Sequence, residues 1–167
     1  EITGSGTITS RGVVAFEHAS TVEPSIVNEA LMAFNARMDF RSIRNEGTVE
    51  QRGDLYFDFG SEIINNGTWN VESGITIGEL DTFPSTAFDN NGTFQGDSSF
   101  GSAIRVRFNN NGTVIADNLA RFTFYNALTT TTNADGSIEE SIRGNWIRRN
   151  NGRIFFSPPP TQIGPAE

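Results

Sequence analysis

Asp54, Tyr56 and Asp58 alternate with apolar neighbours along one short stretch, Asp54-Leu55-Tyr56-Phe57-Asp58. Two carboxylates on one side of a strand are the first pattern here that could do chemistry, because glycoside hydrolysis needs a pair facing one sugar bond at about 5 to 9.5 Å. A later stretch of the same kind places Arg121, Thr123 and Tyr125 outward, and Arg105 and Arg107 fall between the two. Asp54, Tyr56, Asp58, Arg105, Arg107, Arg121 and Tyr125 thus make a candidate ligand-binding face, with rings to stack on sugars and charges to orient hydroxyls. The plainer alternative for these residues is a solvated sheet face with cross-strand ion pairs.

Other chemistries find little material. His18 is the only histidine, so a metal site or a Ser-His-Asp triad would rest on one residue, and a surface or corner position is expected for it. Cysteine is absent and all 12 basic residues are arginine, which removes thiolate chemistry, Schiff bases, a P-loop lysine and lysine isopeptide cross-links. No catalytic residue, metal ligand or cofactor is therefore assigned. A net charge of −8 repels phosphate backbones and anionic lipid, which argues against nucleic acid. No apolar run reaches the roughly 20 residues needed to span a bilayer. The N-terminus lacks the charged and apolar regions of an uncleaved signal, so a secreted form is expected to begin after its cleavage point.

The elements that would position these side chains follow from an internal repeat. Asn45-Glu46-Gly47-Thr48-Val49, Asn65-Asn66-Gly67-Thr68-Trp69, Asn90-Asn91-Gly92-Thr93-Phe94, Asn110-Asn111-Gly112-Thr113-Val114 and Asn150-Asn151-Gly152-Arg153-Ile154 share one template, their glycines 20, 25, 20 and 40 residues apart. An apolar residue stands four before the glycine (Ile43, Ile63, Phe88, Phe108) and another two after it (Val49, Trp69, Phe94, Val114, Ile154). Alternating stretches follow, such as Leu55, Phe57, Phe59 and Ala120, Phe122, Phe124, and period-two alternation means one side in and one side out.

One such coil cannot bury its own apolar side, but coils stacked at the strand spacing of about 4.8 Å build a continuous core. The expectation is an all-β domain over residues 1–156: a single parallel β-helix (β-solenoid) of about seven coils, roughly 20 residues each. Glycine at each corner is expected to supply positive φ, with the preceding asparagines stacking their amides. Asn-Gly is also a hairpin signal, but hairpins do not explain apolar positions held four before and two after every glycine. Residues 2–16 lie on residues 43–57 without a gap, residues 20–41 read as a degenerate coil or a short helix, and residues 129–138 read as a loop leaving the stack.

The Asn-Asn-Gly-Thr coils at residues 65–68, 90–93 and 110–113 resemble the parallel β-helix repeats of secreted surface proteins, among them bacterial filamentous adhesins and fungal cell-wall adhesins. The resemblance implies an extracellular, non-catalytic role and carries over no functional residue.

Asn66, Asn91 and Asn111 each open an Asn-Gly-Thr acceptor sequon, although the turn alone accounts for those residues. Thr48, Thr68, Thr93 and Thr113 form one rank, where ice binding usually needs two. Residues 157–167 form a Pro-rich tail whose Pro158, Pro159, Pro160 and Ile163 could pack on their own coils or clasp a neighbouring copy. The expected function is a non-enzymatic extracellular structural protein, self-associating head to tail into a filament or surface fibre. The alternatives are a cell-surface adhesin that binds carbohydrate and a polysaccharide-active β-helix enzyme.

Overall fold

A computed structural model of the protein describes residues 1–57, 61–79, 86–97, 99, 101–127, 129–132 and 138–157, the strands Thr129–Thr132 and Ile138–Ser141 by backbone alone. The described residues form a parallel β-solenoid of about five turns, about 20 residues per turn, without a helix.

Each turn crosses three faces. Face one holds Thr7–Ser10, Ser25–Asn28, Ile43–Asn45, Glu62–Asn65, Ala87–Asn90 and the second half of the long strand Gly101–Asn110. Face two holds Val14–Phe16, Leu31–Phe34, Thr48–Gln51, Thr68–Val71, Thr93–Gly96, Thr113–Ala116 and Asn145–Arg148. Face three holds Ser20–Val22, Met38–Phe40, Leu55–Phe57, Thr76–Glu79, the first half of Gly101–Asn110, Arg121–Asn126 and Arg153–Phe156. Neighbouring turns pair in parallel, so tight hairpins do not build the stack; the antiparallel pair Thr129–Thr132 with Ile138–Ser141 is the excursion expected from residues 129–138.

Parallel register puts like over like. Val49, Trp69, Phe94 and Val114 form one inward rank on face two, and Ile43, Ile63, Phe88 and Phe108 another on face one. Aromatic rings touch from Phe16 to Phe156, with centroids such as Phe108–Phe124 at 4.6 Å and Trp69–Phe88 at 5.0 Å in tilted or edge-on geometry, the arrangement the ring quadrupole favours. Inside this core Trp69 Nε1–H donates to Gln51 Oε1 at 2.8 Å, both residues fully buried. Gln51→Leu is expected to leave that N–H without its acceptor and to lower stability by about 1–3 kcal/mol in thermal unfolding, although it adds apolar surface.

Polar ladders line the corner between faces one and two. Asn28, Asn45, Asn65, Asn90 and Asn110 are buried, and each Nδ2 donates to the Oδ1 of the next at 2.7–2.8 Å. Each also donates to a backbone carbonyl of the turn above, as Asn65 Nδ2 does to Thr93 O at 3.0 Å. No buried side-chain nitrogen or oxygen among the described residues lacks a partner.

Three expectations are corrected, and the open choice at residues 20–41 is decided for a coil. The corner glycines Gly47, Gly67, Gly92 and Gly112 do not have positive φ, which among the described residues falls instead at Gly4, Gly6, Gly144, Asn118, Leu119, Asn150 and Asn151. Glycine is needed at these corners because the coils touch there: a Cβ at Gly67, Gly92 or Gly112 would lie 2.0–2.1 Å from the carbonyl oxygen of the glycine one coil below. Residues 20–41 hold no helix, since Ile26, Met32, Phe34, Met38 and Phe40 alternate into the core with at most 2% exposure.

The N-terminal stretch sits one face away from its sequence alignment, with Ile8 over Ile26 and Ile43 rather than in the rank of Val49. The fifth template is displaced in the same way. Asn145–Arg148 continues face two, placing Trp146 over Val114, while Asn150-Asn151-Gly152 turns the next corner and sends Ile154 over Phe122 on face three. Two full coils in the 40 residues between Gly112 and Gly152 would return Ile154 to the rank of Val114, but the antiparallel pair Thr129–Thr132 with Ile138–Ser141 takes up part of that length.

Candidate functional surface

Face three gathers most of the residues singled out for ligand contact. Registers place Asp54, Thr76, Ala103, Thr123 and Phe155 along one outward rank, and Tyr56, Gly78, Arg105 and Tyr125 along the next. Arg121 lies in a third rank, directly opposite Arg153. Arg107 stands past an irregularity in Gly101–Asn110, where the strand turns onto face one. Asp58, Pro158, Pro159, Pro160 and Ile163 lie outside the described residues.

The two tyrosines differ in what surrounds them. Tyr56 carries the Arg37 guanidinium 4.4 Å from its ring centroid, and its ring edge lies over Gly78, where a Cβ would meet it at 3.3 Å. Tyr56 therefore works as a lid on a side-chain-free spot of the sheet. Asp54 is engaged too, accepting the Thr76 backbone N–H at 2.6 Å. Tyr125, three ladder steps or roughly 14 Å away, is half-buried with Arg105 4.9 Å from its centroid.

Charge is distributed unevenly along the stack. Residues 1–79 carry twelve acidic residues against five arginines, and residues 101–157 carry four against seven. In the first group Arg11, Arg37, Arg44 and Arg52 are ion-paired, for example Arg11 Nε to Glu29 Oε2 at 2.9 Å and Arg44 Nε to Glu46 Oε1 at 2.8 Å. Among the described residues, none of Arg105, Arg107, Arg121, Arg143, Arg148, Arg149 and Arg153 has an ion-pair partner.

The sequon asparagines are the exposed partners of the buried ladder. Asn111 Nδ2 donates to Asn91 Oδ1 at 3.2 Å, Asn91 to Asn66 at 3.0 Å, and Asn66 to Glu46 Oε1 at 2.9 Å. The Asn66 amide above all, with Arg44 adding to it, holds the Glu46 carboxyl below the usual carboxylate range against a smaller opposing effect of desolvation. A hydrogen bond from Arg52 to Glu72 similarly raises the guanidinium's hold on its proton. A transferase would thus find these amides at the surface but already serving as ladder donors.

Comparison with family models, curated proteins and solved structures finds no match. Among the described residues an open groove of about 310 Å³ lies beside face two, lined by Asn70, Gln95, Ile115, Glu72, Asp117 and Arg149. His18 is exposed.

Alternating sequence missed two features: the in-register Arg121–Arg153 pair, hidden by the misplaced last coil, and Phe155, an outward aromatic 47% exposed. Arg153 and Phe155 carry a usable signal, because Arg153-Ile154-Phe155-Phe156 parallels Arg121-Phe122-Thr123-Phe124.

Proposed function

We propose that this chain is a non-enzymatic, extracellular structural protein, a self-associating segment of a filament or surface fibre. In this reading it comprises seven coils, one for each strand of the face-two ladder, and the Pro-rich residues 157–167 clasp a neighbouring copy. The observation that carries it is the polarity of charge along the stack, acidic over residues 1–79 and basic over residues 101–157. Opposite ends attract, and a head-to-tail contact that does not close on itself makes a filament.

One rank gives the attraction an address. Glu17, Asn35, Arg52, Glu72, Asp97, Asp117 and Arg149 follow one another just past the face-two strands. A copy stacked in register would bring its Glu17 beside Arg149. Arg148 opposes the same junction, since it continues the inward rank of Gln51, Val71, Gly96 and Ala116 yet is itself exposed. An inward-pointing charge blunts a sheet end, so Arg148 is a brake on growth.

Electron microscopy with light scattering tests the reading on the full chain at low and high salt. Rods that lengthen at low salt, shorten when residues 157–167 are deleted and lengthen further in Arg148→Ala are the expected result. Single particles of unchanged mass under all of these conditions would remove the filament.

A further inference from the structure

We propose that the outer side of face three, around Arg121 and Arg153, is a binding strip for an acidic polysaccharide, one bearing carboxylate or sulfate groups. The starting observation is a like-charge pair. Arg121 and Arg153 stand directly opposite in adjacent parallel strands, both exposed, with no carboxylate of this chain paired to either among the described residues. Like charges directly opposite destabilise a sheet, and the same protein answers Arg11, Arg37, Arg44 and Arg52 with its own carboxylates. Two guanidinium forks about one strand spacing apart, roughly 4.8 Å, suit a planar or tetrahedral oxyanion held by both.

The surroundings favour a sugar as the bearer of that anion. Two residues along each strand, Thr123 lies opposite Phe155 and next to Ala103. Two further along stands Tyr125 beneath Arg105. The middle rank is thus a shallow floor of small residues ending in an exposed ring. Arg121 and Arg153 border it on one side, and Arg105 borders it on the other. A pyranose lying there places its C–H face on Phe155, offers a hydroxyl to Thr123 Oγ1, and directs its anionic substituent to the arginine pair. A long nucleic acid meets the same arginines but also the field of a chain carrying −8, which disfavours it. The strip lies on the side wall, so it stays open whether or not coils stack end to end.

Affinity electrophoresis and calorimetry can test this with the full chain against four probes: a polyuronate, a sulfated glycan, a neutral polysaccharide and single-stranded DNA. Expected are retardation by the polyuronate or the sulfated glycan, weakening with salt, and little effect of the neutral polymer or DNA. The double variant Arg121→Gln/Arg153→Gln should lose at least about tenfold in affinity, and Phe155→Ala about threefold or more. Arg11→Gln, at the other end of the stack, should lose nothing. All four substitutions are on exposed side chains, and a circular-dichroism spectrum matching the parent confirms that each variant folds. Absence of binding to both acidic glycans, equal binding of DNA, or binding indifferent to Phe155 and to the arginine pair would each overturn the proposal.

Discussion

Asn65→Ala is expected to lower the unfolding free energy by about 3–5 kcal/mol, while Asn66→Ala, the adjacent residue with the same side chain, should lower it by less than about 1 kcal/mol. Asn65 is fully buried, and its amide donates to Asn90 Oδ1 at 2.7 Å and Thr93 O at 3.0 Å while accepting from Asn45 Nδ2 at 2.8 Å. Truncation removes a partner from two fully buried amide groups, those of Asn45 and Asn90, and from the half-buried Thr93 carbonyl, and each unmet buried group costs about 1–3 kcal/mol. The ladder neighbours Asn45 and Asn90 keep contacts of their own, which holds the total below the full sum. Asn66 makes a similar ladder in solvent, where water replaces what is lost. Chemical denaturation of the two variants side by side is the measurement. Equal losses would mean that the buried ladder contributes no more than a surface one.

Gly92→Ala should be as damaging for a different reason. A Cβ there would lie 2.1 Å from Gly67 O and 2.8 Å from the Asn66 backbone, and those atoms cannot yield without opening the ladder. Thr93 N–H donates to that same Gly67 O at 2.9 Å, and Gly92 N–H to Asn65 O at 2.9 Å. The coils must part at the corner where both polar ladders run. A loss of about 3 kcal/mol or more is expected, seen as a fall in Tm of roughly 6–12 °C. Gly101→Ala is the control, since a Cβ there meets nothing within 4 Å, and its effect should stay within about 0.5 kcal/mol. If Gly92→Ala unfolds with the parent, the corner tolerates a methyl group and the close approach is not what selects glycine.

Both predictions concern positions that the repeat marks in the sequence, yet the reason for each came only from the folded chain. Asn-Asn-Gly-Thr does not say which asparagine turns inward; the strand register decides it, because the first asparagine continues the inward alternation of Ile63 and Phe88 on face one. The glycines look like positive-φ residues, and the real constraint is a carbonyl oxygen 20 or 25 residues away in the chain. The candidate surface divides in the same manner. Alternation correctly puts Asp54, Tyr56, Arg105, Arg121 and Tyr125 on the outside of one face, but it cannot reveal that Tyr56 is pinned between Arg37 and Gly78 while Arg121 faces Arg153.

By itself the sequence determined that this chain is a stack of parallel strands, and about how long each turn is. The spacing of glycine and its flanking apolar residues is a local pattern, and a pattern that recurs every 20 residues or so has a low-energy solution only when its copies lie on one another. Tertiary structure alone decided which face the first and last coils join, which amides are buried, and which arginines find carboxylates. Those outcomes depend on contacts one turn away in space, and a hairpin or a short coil shifts which residue meets which without altering any local signal.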